Sequence, residues 1–214
     1  MDVMKEGACL KENGKWLIPS TEYGAIEDEL GGEVQVNNAR TVLAALHILT
    51  KEIGVTIMPE AVKVGFSLVT KLTGLMGRWQ TMQTNPTVVC DTGHNIGGWQ
   101  YISEQLKHVQ TKFHEVHIVI GMVNDKDING VLAMMPKDAT YYFTRASVDR
   151  ALPAEEVATL AVKHGLQGTT CDSVKEATEL ALSRAKEDAF IFIGGSTFIV
   201  ADALPLFQQT AYKQ

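Results

Sequence analysis

The chain has 214 residues, 45% hydrophobic and 21% charged, which is enough apolar material for one large domain or two small ones. Its formal charge of −6 argues against bulk attraction to nucleic acid. The three cysteines, Cys9, Cys90 and Cys171, stand far apart with no Cys-x-x-Cys pair, so neither a zinc ribbon nor a disulfide framework is indicated, and the cytoplasm is the expected setting.

Met1 to Glu6 lacks the long apolar core and small-residue cleavage site of a signal peptide. Residues 1–36 carry short strand-like segments. Lys15-Trp16-Leu17-Ile18 reads as a strand stopped by Pro19, and Glu33-Val34-Gln35-Val36 as another. Asn37 or Asn38 then reads as a helix N-cap, followed on one face by Ala39, Val42, Leu43, Leu46 and Leu49. Gly54 closes that helix, and Pro59 opens the next, with Ala61, Val62, Phe66 and Val69 as its apolar positions. The two helices are expected to pack as a hairpin. Leu72 to Gly77, with two glycines, reads as a hinge between domains at 1–75 and 76–214.

Beyond Arg78 strands and helices alternate. Thr87–Cys90, Val116–Ile120, Thr140–Phe143, a short piece near Thr169, and Ala189–Ile193 read as strands. Helices are expected to about Gln110, through Met134, over Pro153–His164, from Ser173 to about Lys186, and over Ser196–Phe207. Short connections between them predict an α/β fold: a Rossmann-like, mainly parallel sheet with helices on both faces. The apolar run from Phe190 to Leu204 is too short and too broken by Gly194, Gly195, Ser196 and Asp202 to span a bilayer.

The most informative stretch runs from Val88 to Gly98. A buried strand gives way to Asp91, Gly93, His94 and Asn95, and then to a helix with Trp99, Ile102, Leu106 and Val109 three or four apart. Polar loops at the carboxyl ends of such strands hold ligands, and the helix start suits an anion. Asp91 could accept from sugar hydroxyls, while His94 and Asn95 could reach a phosphate or a reacting group. The bland reading is a helix entry, with Asp91 or Asn95 satisfying backbone donors and Gly93 making a turn.

Gly194-Gly195-Ser196-Thr197 likewise ends a strand and opens a helix, either as a close approach to a ligand or with Ser196 as a plain cap. Asp125-Lys126-Asp127 reads as a cap plus a solvated lysine, and Arg78, in the hinge, either as bridging a ligand held in the cleft between domains or as paired with a nearby carboxylate. His108, His114 and His117 have no metal-site spacing and are expected on a solvated helix end and strand. The chain contains no G-x-S-x-G, G-x-G-x-x-G or G-x-x-x-x-G-K-[ST] motif.

Five elements in order carry a resemblance: Gly32-Glu33-Val34-Gln35-Val36-Asn37-Asn38-Ala39; Gly77-Arg78-Trp79-Gln80; Asp91-Thr92-Gly93-His94-Asn95; Gly121-Met122 with Asp125-Lys126-Asp127-Ile128; and Gly195-Ser196. Over nearly the whole chain it resembles the carboxyl half of the folylpolyglutamate synthase/dihydrofolate synthase family, within the Mur ligase superfamily. The resemblance implies the tail of a central ATPase domain over 1–75 and a Mur-type C-terminal glutamate-ligase domain over 76–214. It also implies a cytoplasmic, monomeric parent ligase. That enzyme would pass phosphate from MgATP to a carboxylate of folate or dihydropteroate, and the amino group of L-glutamate would attack the acyl phosphate. Catalytic roles would fall to His94, Arg78 and Ser196, and nucleotide binding to Asn38 (adenine), Arg78 (phosphates) and Asp91 (ribose). Roles for Gln35, Asn95, Asp125 and Lys126 stay open.

Val34, Gly93 and Ile96 depart mildly from the family pattern. The larger departure is that the P-loop, the catalytic lysine and most magnesium ligands of the family precede the first residue here. The expectation is therefore a C-terminal fragment, inactive alone, with no metal ligands of its own. Two alternatives are a non-catalytic nucleotide-binding module of the same fold and a ligase acting on a cell-wall precursor.

Overall fold

In the computed structural model, the described residues are 9–10, 14–19, 21–124 and 127–211. They form two compact units, Met1–Arg78 and Trp79–Gln214.

The first unit begins with a three-stranded antiparallel sheet in the order β1 (Cys9–Leu10), β2 (Trp16–Ile18), β3 (Ile26–Asp28). Three helices follow: α1 (Val34–Lys51), α2 (Pro59–Ser67) and α3 (Val69–Thr73). The expected strand at Glu33–Val36 is instead the entry and first turn of α1. Gln35, Ala39 and Leu43 recur every fourth residue as its buried positions, and this helical period outweighs a four-residue alternation. Neither Asn37 nor Asn38 is therefore the cap; Glu33 holds that position without a side-chain cap bond. Pro59 does occupy the first turn of α2, where its missing N–H costs no hydrogen bond.

Ala39, Leu43, Val62 and Phe66 share a core with Ile18, Tyr23 and Ile26. The helix hairpin is nevertheless incomplete. Val42 and Leu49, expected on the buried stripe, are 46% and 36% exposed. An apolar cleft of about 420 Å³, lined by Val42, Leu46, Ile57, Ala61 and Val69, lies along α1 and α2.

The second unit is a six-stranded sheet in the order β4 (Gln80–Thr84), β5 (Thr87–Asp91), β9 (Phe190–Gly194), β6 (Val116–Ile120), β7 (Thr140–Phe143), β8 (Gly168–Thr170). All neighbours pair in parallel except β4, which runs antiparallel to β5. This is the expected α/β architecture. The edge strand β4 was not anticipated: Gln-Thr-Met-Gln-Thr has no apolar alternation, and it becomes a strand by hydrogen bonding to β5.

Strand residues alternate between two cores. Val89, Ile118, Ile120, Tyr141, Phe143, Phe190 and Phe192 pack with α4 (Ile96–Gln110), α5 (Ile128–Met134) and α6 (Ala154–Lys163). Val88, Cys90, Val119, Tyr142, Ile191 and Ile193 pack with α7 (Val174–Arg184) and α8 (Thr197–Ala211). Burial on both faces explains why β6 and β9 read as unbroken apolar runs.

Two details correct or extend the sequence reading. His117 is not solvated: it is 3% exposed in β6, with Nδ1 3.0 Å from the Tyr142 hydroxyl and Nε2 2.7 Å from Glu115. Cys90 is a free, buried thiol whose pKa burial pushes up to about 12, so it is an inert core residue. Among the described residues no helix is long and apolar enough to cross a membrane.

Asp28 ends β3 buried, with one carboxylate oxygen accepting from the Leu30 amide at 3.0 Å. Burial raises its pKa from 3.8 to about 6 despite that hydrogen bond. The native state therefore binds a proton that the unfolded chain has released, so stability falls as pH rises from about 4 to 6, and the cost is complete above that. Asp28→Asn should therefore stabilise the first unit by on the order of 2 kcal/mol at about pH 7.5. The gain should vanish below about pH 4, as thermal melts at both pH values will read out.

Candidate functional site

Asp91 closes β5 and is buried. Its Oδ1 accepts from the Gly93 amide at 2.7 Å, and its Oδ2 accepts from the Trp79 amide at 2.8 Å. Trp79 has φ +45°, a left-handed conformation that is costly for a residue with a side chain. Its ring offsets that cost by packing on Phe190 and Phe192, with centroids 6.4 and 5.8 Å away.

Past Gly93 the chain turns into α4. Asn95 is the N-cap, its Oδ1 accepting from Gly98 N at 2.9 Å. His94, half-buried, sets Nδ1 3.1 Å from the Thr92 carbonyl oxygen. A carbonyl only accepts, so Nδ1 carries the hydrogen in that bond. In the neutral ring Nε2 is then the acceptor.

The β9–α8 junction lies beside this loop, because Asp91 pairs with Gly194, and Gly194 with Ile120 at the end of β6. At Gly195 the backbone is left-handed (φ +97°), and a Cβ there would sit 2.5 Å from the Gly121 carbonyl oxygen. Only glycine lets the β6 and β9 exits approach this closely. Ser196 is buried at 2% exposure, and its Oγ accepts from Phe198 N at 3.1 Å in the first turn of α8.

The structure thus gathers Asp91, His94 and Ser196 on the carboxyl-end edge of one sheet. Three strand exits meet there, and the chain order reverses about β9: β5 leads to β6 on one side, and the path returns from β8 into the gap between them. Such a switch point is where open α/β sheets take their ligands. Asn95 and Ser196 each use an oxygen on a backbone amide, and Asp91 uses both of its oxygens on two, as the bland readings anticipated.

Asn38 and Arg78 belong to the other unit. Asn38 is exposed in α1 and donates to the buried Gln35 Oε1 at 2.8 Å; Arg78 is exposed. Asp127 caps α5 through Gly130 N at 2.8 Å, while Asp125 and Lys126 lie outside the described residues. Among the described residues no three His, Cys, Asp or Glu side chains are grouped so that they could hold a metal ion.

Two residues at this edge escaped the sequence reading. Trp79 gave no sign of its backbone strain. Arg150 lies in an irregular loop after β7, without periodicity or motif, and its guanidinium carbon sits 4.6 Å from the Phe198 ring centroid.

Residues 77–197 match the family model described as "Mur ligase, glutamate ligase domain". The chain is similar to the dihydrofolate synthase/folylpolyglutamate synthase of Escherichia coli K12, 29% identical with 95% of this chain and 48% of that protein covered. It thus spans about half the length of that relative. Among solved structures, it resembles Mycobacterium tuberculosis folylpolyglutamate synthase complexed with ADP, at a TM-score of 0.77 and 26% identity, covering 94% of this chain and 46% of that one. It also resembles E. coli FolC in complex with DHPP and ADP, at a TM-score of 0.73 and 25% identity, covering 95% and 46%.

Because the Asp91 carboxylate accepts two backbone amides, Asp91→Ala would leave both N–H groups unbonded. The second unit should lose about 2–4 kcal/mol of stability, read as a lower urea midpoint at unchanged slope. Asp91→Asn, whose amide oxygen still serves one donor, should lose less.

Proposed function

Because this chain belongs to the Mur ligase family, with its glutamate ligase domain filling more than half the sequence, we propose that it forms the C-terminal region of an ATP-dependent ligase. The ligase would add L-glutamate to tetrahydrofolate, dihydropteroate, or both. The observation that carries this reading is the meeting of the Asp91–Asn95, Gly121–Asn124 and Gly194–Ser196 loops at one switch point. The names of the relatives, all tied to folate and glutamate, supply the substrate class.

In this reading Asn38 meets adenine, Asp91 binds the nucleotide at its ribose, and Arg78 neutralises ATP phosphates. His94 offers Nε2 as the acceptor for a proton of the attacking amino group, its tautomer held by the Thr92 carbonyl. Ser196, fixed by Phe198 N, orients a reacting oxygen through its hydroxyl hydrogen. Phosphoryl transfer depends on positioning and charge neutralisation, so rigid loops matter more here than a nucleophilic side chain. Magnesium would enter with ATP, as MgATP. Residues 1–75 are read as the end of the central ATPase domain and 76–214 as the glutamate-ligase domain. The proposed setting is the cytoplasm, in keeping with the reduced, buried Cys90 and Cys171.

The test is glutamate-dependent ADP release with tetrahydrofolate and with dihydropteroate. The chain alone is compared with the chain joined to a preceding nucleotide-binding region. Only the joined protein should turn over, and Arg78→Ala should lower its rate by about 10²-fold or more. A joined protein that folds, binds ATP and ignores both folates would overturn the substrate assignment.

A further inference from the structure

Only part of the apolar face of α1 is used within the first unit. Ala39 and Leu43 are buried in its core. Val42, Leu46 and Leu49, spaced four and three apart, form the adjoining stripe, and they stay half-buried or exposed. Val42 and Leu46 make one wall of the apolar cleft of about 420 Å³, and Ala61, Gly65 and Val69, four apart along α2 and α3, make the facing wall. Two of those three are very small residues, so another backbone can approach closely there. A Cβ at Gly65 would meet no atom within 4 Å.

The groove is also nearly without charge. Among the described residues that line it Asp28 alone is ionisable, and it is buried at 4% exposure, as is Gln35. A thin core leaves apolar side chains exposed singly and without order. Here they are aligned on two helices around one uncharged groove, which is the pattern of a surface that another polypeptide covers.

Relative lengths point to that polypeptide. The E. coli relative is matched over 95% of this chain, and therefore over most of the first unit, yet the match takes up 48% of that relative. The rest of it has no counterpart here. The glutamate ligase family model begins at residue 77, so the groove lies in the unit outside that domain. In the ligase reading the remaining half carries the nucleotide-binding region.

We infer that the α1–α2 groove is the docking face for that half, and that an uncharged, apolar segment of it lies along Gly65. The inference rests on the ligase reading above and adds an interaction surface to it.

The chain by itself and the protein that joins it to its nucleotide-binding region are labelled with a photoactivated carbene. The yield at residues 42–46 and 61–69 is read by mass spectrometry, and joining should lower it at least about threefold. Gly65→Leu fills the groove. Its Cβ position is open and leucine is the better helix former, so the chain alone should melt no lower than wild type. The joined protein should instead melt at least about 4 °C lower, because the seated segment is displaced. Val42→Ser, at a position 46% exposed, should likewise be silent in the chain alone and lower the melting temperature of the joined protein. This variant carries the test if Gly65→Leu does not fold.

Labelling unchanged by joining overturns the inference, and so do variants that are equally silent in both proteins. Protection already present in the chain alone, deepening with concentration as a dimer sediments, also overturns it, by seating a second copy in the groove. A joined protein that protects the groove but forms no ADP with either folate loses the substrate reading and keeps the docking face. One that forms ADP while the groove stays labelled loses the docking face alone.

Discussion

The Asp91 carboxylate accepts amides from residues two and twelve positions away, Gly93 and Trp79. The first bond folds the loop that leads into α4. The second holds the backbone just before the edge strand β4, at a residue with an unfavourable φ. A buried carboxylate in that position is stabilised by the donors it collects and would be costly without them. The loop bearing His94 and the entry to the larger unit therefore depend on one side chain, and neither could shift without breaking a charge-assisted bond.

Around that clamp the edge of the sheet is built from close backbone approaches. Gly195 clears the Gly121 carbonyl, and Gly93 clears Ile102 of α4. Side chains with chemistry to offer are fastened to nearby amides: Asn95 to Gly98, Ser196 to Phe198, and His94 to a carbonyl. Fastening of this kind keeps polar groups at fixed positions before a ligand arrives, which is what positioning-dominated catalysis requires. The cost of ordering these side chains is met in folding rather than at each binding event.

The smaller unit is organised differently. Its core cluster holds seven buried residues, while ten large hydrophobic side chains among its described residues, including Ile53, Met58 and Leu72, stand exposed. A small unit buries a smaller fraction of its apolar surface, and the cleft along α1 and α2 shows the same shortfall. Asp28, ionising within this thin core, adds a pH-dependent weakness.

The amino-acid sequence by itself determined the larger unit's alternating strands and helices, its parallel core strands and the loops at their carboxyl ends. Those features rest on local apolar period and on turn residues, which a single chain displays directly. It also marked Asp91, His94 and Ser196, because a dense polar cluster after an apolar run has few uses. Tertiary structure alone decided what lacked a local signal. The polar β4 is a strand only because β5 supplies its partners. Val34 to Val36 is helical because a longer period captures it. His117 is buried because Tyr142 and Glu115 satisfy both ring nitrogens. The Arg150 guanidinium rests on the Phe198 ring, 48 residues further along the chain. In each case the deciding energy comes from contacts between residues far apart in sequence, and these form only when the sheet is assembled.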